Sequence, residues 1–219
     1  MRSEVEKHFD EISENYDYYK SKNWYYYNNL KVLLSKIILK NKKVLEIGCG
    51  TGDLIAYLKP KQGWEMDLSG KMIKKARIKY KHFKNITFST EYPTETFGYV
   101  FMSDVIEHLE SPEKVLKRIS KLMDKKSLFI ITMANPIWEP LLMFAEKIGY
   151  KIPEGPHTRI KYRELKIILK QSGLKVIKHD YKLLMPIYIP LLTNFINIYL
   201  ERHLKRYAFI EFLIAKKIF

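Results

Sequence analysis

Three residues of types that bind metal ions or transfer protons stand close together in the sequence. Asp104, Glu107 and His108 occupy positions i, i+3 and i+4. Side chains at this spacing share one side of a helix, so two carboxylates and an imidazole would face the same way if the chain turns helically there. Such a set could hold a divalent cation. Without a metal, His108 could act as a general base, because imidazole titrates near neutral pH.

A glycine-rich turn is the second feature that could do chemistry. The apolar run Val44–Ile47 leads into alternating glycines, and Asp53–Leu58 then has the pattern of a helix. This is the outline of a nucleotide-cofactor site, because glycines let the backbone turn tightly and let a ligand approach it closely. The turn residues predicted to contact the cofactor are Gly48, Cys49, Gly50 and Gly52.

A carboxylate further along the chain fits the same site. Gly63–Ser69 contains a second short strand, and Asp67 ends it. A ribose-binding carboxylate is expected about 20 residues after such a turn. Asp67 has enough lone pairs to accept both ribose hydroxyls, although it could instead cap the helix that follows.

Alternating strands and helices must position these residues. Ser69 is a good N-cap for a helix over Lys71–Tyr80, and Ser111-Pro112-Glu113 has the composition of another helix start. The alternation predicts an α/β fold with a doubly wound, mostly parallel sheet of seven strands. The strand patterns are Val44–Ile47, Gly63–Ser69, Asn85–Thr90, Phe97–Ser103, Ser127–Met133, Leu174–His179 and Tyr207–Ala215.

Three segments lie outside this alternation. Residues 1–40 contain two predicted helices rich in aromatic side chains. Residues 134–160 form an insertion with an apolar helix, and residues 183–206 form an insertion that is first apolar and then basic. We interpret residues 1–219 as a single domain, because a chain of 219 residues can bury a substantial core without disulfides.

The uncharged stretch Leu183–Leu200 needs an explanation of its own. Its length just reaches the threshold for a membrane span, but Pro186 and Pro190 argue against one. The mostly basic flank at 201–206 favours an interfacial element whose apolar side chains enter a bilayer while its cations meet lipid head groups. A substrate-pocket wall or a dimer face would explain the stretch as well.

Charge and cysteine content limit the partners and the compartment. The sequence has 39 Lys and Arg against 24 Asp and Glu, a formal net charge of +15. This charge would attract nucleic acid, anionic lipid or an acidic substrate, or it could simply be spread over solvated faces. Cys49 is the single cysteine, and the N-terminus is polar and acidic. Both favour a reducing cytoplasmic location. The stretch at 183–206 would add a peripheral position at the inner membrane surface.

The motifs together resemble those of a known family. Val44–Gly52, Asp67-Leu68-Ser69 and Ser103–Leu109 look like the successive motifs of class I S-adenosylmethionine-dependent methyltransferases, and the resemblance covers most of the chain. The G-x-G-x-G spacing differs from the G-x-G-x-x-G of dinucleotide enzymes, as suits a cofactor with an amino-acid head group and no pyrophosphate. The resemblance implies S-adenosylmethionine as cofactor and a Rossmann-like methyltransferase fold with an antiparallel edge strand.

The resemblance also implies contacts to the cofactor. Phe9–Asp17 resembles the segment that covers the cofactor in many of these enzymes, so residues 1–40 are expected to form a helical lid with Tyr16 as its contact. Packing alone would explain the aromatic residues equally well. Glu46 is expected to accept a hydrogen bond from the ammonium group at the methionine end of the cofactor, directly or through water. Glu91 is the candidate partner of the adenine amine. The expected cofactor-binding residues are Tyr16, Glu46, Gly48, Cys49, Gly50, Gly52, Asp67, Leu68, Met72, Glu91, Ser103 and Asp104.

The run from Asp104 to His108 resembles the E-x-x-E-H signature of two metal-assisted groups, the ubiquinone-biosynthesis O-methyltransferases and the small-RNA 2′-O-methyltransferases. The first position is Asp instead of Glu, and many metal-free relatives carry D-x-x-E-H here. Pro153–Thr158 resembles the PKGTH segment of the ubiquinone-pathway enzymes. The implied ligands of Mg²⁺ or another divalent cation are therefore Asp104, Glu107, His108 and His157, and the catalytic candidates are Glu107, His108 and His157.

Three hypotheses about function follow. The first is an O-methyltransferase that acts on a hydroxyl of a small, apolar or lipid-linked acceptor at a membrane surface. The second is an RNA methyltransferase of the 2′-O type, favoured by the net charge but opposed by the lack of a clustered basic stripe with interleaved aromatics. The third is a catalytically inactive, cofactor-binding partner subunit.

Overall fold

A single seven-stranded sheet forms the centre of the molecule. The computed structural model describes residues 2–151, 153 and 155–218. The strands are β1 Lys43–Ile47, β2 Gln62–Met66, β3 Ile86–Ser89, β4 Phe97–Ser103, β5 Met123–Ala134, β6 Leu174–Lys182 and β7 Ile210–Lys217. Their order across the sheet is β3-β2-β1-β4-β5-β7-β6.

The strand directions confirm the predicted mostly parallel sheet. β1 pairs in parallel with β2 and β4, and the parallel pairing extends to β3 on one side and β5 on the other. β7 runs antiparallel to both β5 and β6. The last two strands therefore form the expected antiparallel pair at the edge of the sheet, and the reversed strand lies one place inside that edge.

Helices cover both faces of the sheet, as the strand–helix alternation predicts. Successive strand residues point to opposite faces, so Val44 belongs to one apolar core and Leu45 to the other. α3, α4 and α5 cover the first core, and α6 and α8 cover the second. The helices are α1 Glu4–Ile12, α2 Tyr16–Lys22, α3 Trp24–Ile37, α4 Asp53–Leu58, α5 Gly70–Lys79, α6 Pro112–Lys121, α7 Glu139–Lys147, α8 Tyr162–Gln171 and α9 Leu192–Phe195.

The N-terminal segment contains three helices, where the sequence pattern predicted two. Ser3 caps α1 by accepting from the backbone N–H of Glu6 at 3.1 Å. The helical conformation is interrupted at residues 13–15 and again at Asn23. The backbone N–H of Asn23 donates to two carbonyls of α2. α1 packs on α5, beside the carboxyl ends of the parallel strands. The segment is thus placed over the edge of the sheet where a cofactor is expected.

The two insertions lie next to that same edge. The insertion at 134–160 contains a 3-10 turn at Pro136–Trp138 and α7; two of its residues, Ile152 and Glu154, lie outside the described residues. The insertion at 183–206 contains α9 and a π-helical turn at Ile196–Leu200. In the described part of the chain, no helix has the length and apolar character to cross a membrane.

Candidate functional site

The glycine-rich turn after β1 forms one end of a cavity. Gly48, Gly50 and Gly52 have φ angles of +73°, +55° and +83°, which L side chains rarely adopt. Gly48 must also be small, since an added Cβ would lie 2.3 Å from Cγ2 of Val105. Its backbone N–H donates to the carbonyl of Met66 at 2.7 Å, which joins the turn to the end of β2. The sequence therefore needs glycine here for both conformation and space.

The cavity beside this turn has a volume of about 160 Å³. It lies at the carboxyl ends of β1, β2 and β4, the edge at which open α/β sheets bind their ligands. The structure brings most of the predicted cofactor residues to its lining. These are Tyr16, Glu46, Gly48, Cys49, Gly50, Asp67, Leu68, Ser103 and Asp104.

Asp67 is fixed by the backbone at both carboxylate oxygens. Its Oδ2 accepts from the N–H of Gly50 at 2.7 Å, and its Oδ1 accepts from the N–H of Ser69 at 2.9 Å. Burial raises the pKa of Asp67 to about 6, against the lowering effect of these two hydrogen bonds. Each oxygen keeps a further lone pair, so the group is suited to accept a pair of neighbouring hydroxyls.

Two buried carboxyl groups lie side by side behind the turn. Glu46 and Glu65 are direct register partners in β1 and β2 and are 2% and 0% exposed. Burial, followed by the charge of Glu65, raises the pKa of Glu46 well above its usual range. Burial also raises the pKa of Glu65 to about 8, although the charge of Lys20 opposes the shift. The pair therefore retains a proton at neutral pH, which the sequence pattern did not predict.

The N-terminal helices close over the cavity. The Tyr16 ring lies against the glycine turn, because a Cβ on Gly50 would come 2.9 Å from its Cε1. Lys20 also lines the cavity, and its Nζ lies 2.7 Å from Oδ2 of Asp53 at the start of α4. Lys20 was missed by the sequence analysis. Its position four residues after Tyr16, on the same side of a helix, is the signal that could have identified it.

A second cavity, of about 200 Å³, adjoins the first. Phe9, Tyr16, Tyr27, Asp104 and His108 line both cavities and so form the boundary between them. The rest of the second lining is mainly aromatic and aliphatic, and most of it comes from the two insertions. The N-terminal helices, the turn after β4 and the segment just before β7 add Asn23, Tyr26, Glu107 and Phe209. The main apolar members of this lining are Trp138, Leu141, Leu142, Pro186, Ile187 and Phe209.

The turn after β4 differs from the predicted helical arrangement. Asp104 has a φ of +55° and lies outside the 3-10 turn that covers Ile106–His108. Its Oδ2 accepts from the Tyr26 hydroxyl at 2.6 Å. Burial and the neighbouring Asp104 charge raise the pKa of Tyr26 far above its usual value, so the phenol remains a donor. Tyr26, from α3, is a second residue that the sequence analysis missed.

The two candidate histidines have different hydrogen bonds. Nδ1 of His108 lies 3.0 Å from the carbonyl of Pro156, and a carbonyl can only accept, so this nitrogen carries the proton. In neutral His108 the basic lone pair is then on Nε2. His157 contacts the carbonyl of Gly155 through Nδ1 and the carboxylate of Glu139 through Nε2, at 3.0 and 3.2 Å. Both contacts are hydrogen bonds only when His157 is the doubly protonated imidazolium.

The predicted metal ligands do not converge as a metal site. One oxygen of Glu107 lies 3.3 Å from the Arg159 guanidinium. The other possible ligand atoms also have protein partners: Oδ2 of Asp104 accepts from Tyr26, Nδ1 of His108 contacts the Pro156 carbonyl, and Nε2 of His157 contacts Glu139. Across residues 2–151, 153 and 155–218, no group of three or more His, Cys, Asp and Glu side chains has an arrangement that could hold a metal ion. The residues as placed therefore do not fit the divalent cation that the motif implied.

Some predicted site residues lie outside the first cavity's lining. Gly52 faces Glu65 behind the turn, and Met72 is fully buried in α5. Glu91 is exposed, whereas its neighbour Tyr92 lines the cavity with the Arg118 guanidinium 4.1 Å from its ring centre. The role of Glu91 at the adenine remains a prediction. His157 lines neither cavity.

The sheet order and the glycine turn after β1 place the chain among the Rossmann-like cofactor-binding proteins. The sequence profile of a family described as "Methyltransferase domain" matches residues 19–179. The chain belongs to this methyltransferase-domain family. The predicted membership of the class I S-adenosylmethionine-dependent methyltransferases is thereby confirmed.

Individual relatives agree with this assignment. The chain is 28% identical over 167 residues to a ubiquinone biosynthesis O-methyltransferase of Pelagibacter ubique, covering 69% of each sequence. It is 28% identical over 150 residues to the mitochondrial enzyme of the same name from Candida albicans, covering 60% of this chain but only 43% of that relative. A solved S-adenosylmethionine-dependent methyltransferase from Thermotoga maritima superposes with a TM-score of 0.70 at 18% identity, covering 97% of this chain and 99% of that one.

Proposed function

We propose that this methyltransferase transfers the methyl group of S-adenosylmethionine to a hydroxyl of an apolar, lipid-linked acceptor. The observation that carries the proposal is the pair of adjoining cavities. One has the cofactor motifs, the other is mainly apolar, and Asp104 and His108 lie at their boundary. A reaction between two molecules held in these cavities would take place beside these two side chains.

The first cavity supplies a partner for each end of the cofactor. Asp67 would accept the ribose hydroxyls, because both of its oxygens are already oriented by the backbone. Glu46 would accept from the ammonium group of the methionine end, directly or through water. Ser103 has a buried Oγ without a hydrogen-bond partner among the described residues, and it lines the same cavity. A bound polar group would satisfy that oxygen.

The chemistry is a displacement at carbon, and the protein contributes alignment and a base. The bound cofactor supplies an electrophilic methyl carbon. His108 would take the proton of the acceptor hydroxyl on Nε2, while the Pro156 carbonyl holds Nδ1–H and fixes the tautomer. Tyr16, Tyr27 and Phe9 enclose the boundary and would exclude water from the reacting atoms.

Two observations support an apolar acceptor. The walls of the second cavity come from α7 and from residues 186–187. Exposed apolar side chains outside the lining follow in α7, at Met143 and Phe144, and directly after residue 187, at Tyr188 and Ile189. The two curated relatives described above are O-methyltransferases of ubiquinone biosynthesis. An acceptor whose reactive hydroxyl enters the cavity while an apolar tail follows the outer surface would match this arrangement.

Methyl transfer to dodecyl gallate, a phenol with a long apolar tail, tests this proposal against methyl gallate, the same ester without the tail. Mass spectrometry of the products should show methylation of dodecyl gallate in preference to methyl gallate. His108→Gln should lower kcat by about 100-fold or more, as expected for loss of a general base. The exposed His82→Gln variant, at a residue that lines neither cavity, is the matched control. Equal use of the two phenols, or transfer to RNA instead, would contradict the proposal.

We also propose that residues 183–206 contact an anionic membrane surface. Leu191 and Ile198 are 86% and 67% exposed, and the following residues are mostly basic. Apolar side chains beside cations suit the boundary between acyl chains and anionic head groups. This surface adjoins the second cavity through Ile187, so a lipid-linked acceptor could reach the cavity from the bilayer.

Sedimentation with phosphatidylglycerol vesicles tests this contact. The double variant Leu191→Glu and Ile198→Glu should sediment several-fold less than the unmodified chain. The double variant Ile78→Glu and Ile167→Glu, at residues of α5 and α8 that are 64% and 58% exposed, adds the same charge elsewhere and provides the control. Equal loss of sedimentation in the control would show that the effect comes from net charge and not from this surface.

A further inference from the structure

The Arg159 guanidinium lies between two carboxylates that come from different elements. Its Nε donates to Oε2 of Glu139, and one terminal nitrogen lies 3.3 Å from Oε1 of Glu107. The arginine and Glu107 side chains are only 14% and 5% exposed. Glu107 lines the second cavity, and Glu139 begins α7, which forms a wall of that cavity. Arg159 thus connects two sides of the acceptor site from outside its lining.

The segment around Arg159 is also joined to the turn after β4 by backbone groups. The N–H of Thr158 donates to the carbonyl of Glu107 at 2.7 Å. The carbonyl of Pro156 accepts from Nδ1 of His108 at 3.0 Å. Residues 156–159 therefore contact both members of the Glu107–His108 pair, and the arginine extends this connection to α7.

We propose that Arg159 is a positioning residue of the acceptor site: its guanidinium bridges Glu107 and Glu139, so that a side-chain cation, in place of a divalent metal ion, joins the turn after β4 to α7. This inference rests on the proposed function only for its effect on methyl transfer. The bridge itself is a property of the folded chain. It also gives one member of the metal-type motif at 104–108, the carboxylate of Glu107, a cationic partner within the chain.

The geometry suits arginine better than lysine at this position. A guanidinium is planar and offers several N–H groups in a fixed fork, so one side chain can contact two carboxylates at once. A lysine ammonium has a similar charge but acts as a compact point charge on a flexible stem, and it would favour one carboxylate over the other. Arg159→Lys should therefore keep part of the connection between Glu107 and Glu139, and Arg159→Ala should lose it.

Hydrogen exchange tests the bridge without any turnover. Amides of α7 should exchange several-fold faster in Arg159→Ala than in the unmodified chain, and ethylguanidinium should restore slow exchange. Arg163→Ala, at an exposed residue of α8, should change nothing and serves as the control. Unchanged exchange in a folded Arg159→Ala protein would overturn the proposal. If that variant does not fold, Arg159→Lys is compared in the same way, and equal exchange in it would overturn the need for a guanidinium.

Kinetics separate a positioning role from a merely structural one. With dodecyl gallate, Arg159→Ala should lower kcat/KM for the acceptor by roughly 100-fold, as expected when a reacting group is displaced by about 1 Å. The dissociation constant of S-adenosylmethionine, measured by calorimetry, should stay unchanged, and ethylguanidinium should restore part of the activity. A parallel loss of cofactor affinity would contradict the assignment to the acceptor site.

Manganese binding tests the replacement of the metal ion. Titration of Mn²⁺ into the unmodified protein, followed through the electron paramagnetic resonance signal of the free ion, should show no uptake. Uptake of one Mn²⁺ per chain would overturn this part of the proposal. If the unmodified protein methylates no phenol, the proposed function fails, whereas the exchange and manganese measurements still decide the role of Arg159.

Discussion

Replacing the buried Glu65 by glutamine should stabilise the protein at alkaline pH and change its stability little in mild acid. Glu65 is fully buried next to Glu46, and burial raises its pKa from 4.5 to about 8. Glutamine has nearly the same shape and carries no charge at any pH. The variant therefore removes the titration while keeping the packing.

The sign and size of the effect follow from the two pKa values of Glu65. The unfolded chain releases this proton near pH 4.5, whereas the folded chain holds it up to about pH 8. Between these values the folded state binds more protons, so stability falls as the pH rises and the loss is complete above the folded pKa. At about 1.4 kcal/mol per pKa unit the upper bound is about 5 kcal/mol. Since Glu46 shares the titration, we expect a gain of about 3 kcal/mol above pH 8 and under about 1 kcal/mol near pH 5.

Urea denaturation across this pH range measures the effect. The free energy of unfolding is compared for the unmodified chain, Glu65→Gln and Glu110→Gln, which removes an exposed carboxylate. The control should differ by less than about 0.5 kcal/mol at every pH. A Glu65→Gln difference that is the same at both ends of the range would refute the reasoning, because it would mean that Glu65 is already ionised in the folded protein.

Three further predictions concern the cofactor cavity and its boundary. Asp67→Ala should abolish binding of S-adenosylmethionine in calorimetry, since the ribose loses its acceptor; near-normal affinity would remove that assignment. Gly48→Ala should destabilise the protein by about 2 kcal/mol or more in thermal denaturation, because the added Cβ meets Val105 and φ is positive. Tyr26→Phe should lower kcat for dodecyl gallate but leave cofactor affinity unchanged, because it removes the hydrogen bond to Asp104; loss of cofactor affinity instead would place Tyr26 with the cofactor.

Local patterns predicted the elements of the fold well. The strand at Phe97–Ser103 and the helix starts at Gly70 and Pro112 agree with the sequence expectation within one residue. These patterns report side-chain periodicity and capping, which depend on neighbours in the chain. The break between α1 and α2 was missed because the aromatic pattern continues across residues 13–15.

The candidate site was predictable only where it is built from contiguous motifs. The glycine turn and Asp67 meet at one cavity, as the sequence led us to expect, because residue type and spacing reflect their backbone requirements. Their contacts with the cofactor remain predictions. Tyr26 and Tyr92 were missed because helix α3 and the loop after β3 have no motif that distinguishes a cavity-facing aromatic from one in the core. The metal hypothesis relied on helical spacing, and Asp104 adopts a positive φ instead.

The sequence by itself determined the alternating strands and helices, the cofactor turn and the acid that follows β2. Only the tertiary structure decided which charges meet. Glu46 lies beside Glu65 because β1 pairs with β2, and Arg159 reaches Glu107 because the chain returns to the turn after β4. Such contacts join residues far apart in the chain, and their partners are set by strand order and burial. The local pattern of residue types specifies neither the strand order nor which charged groups are buried together.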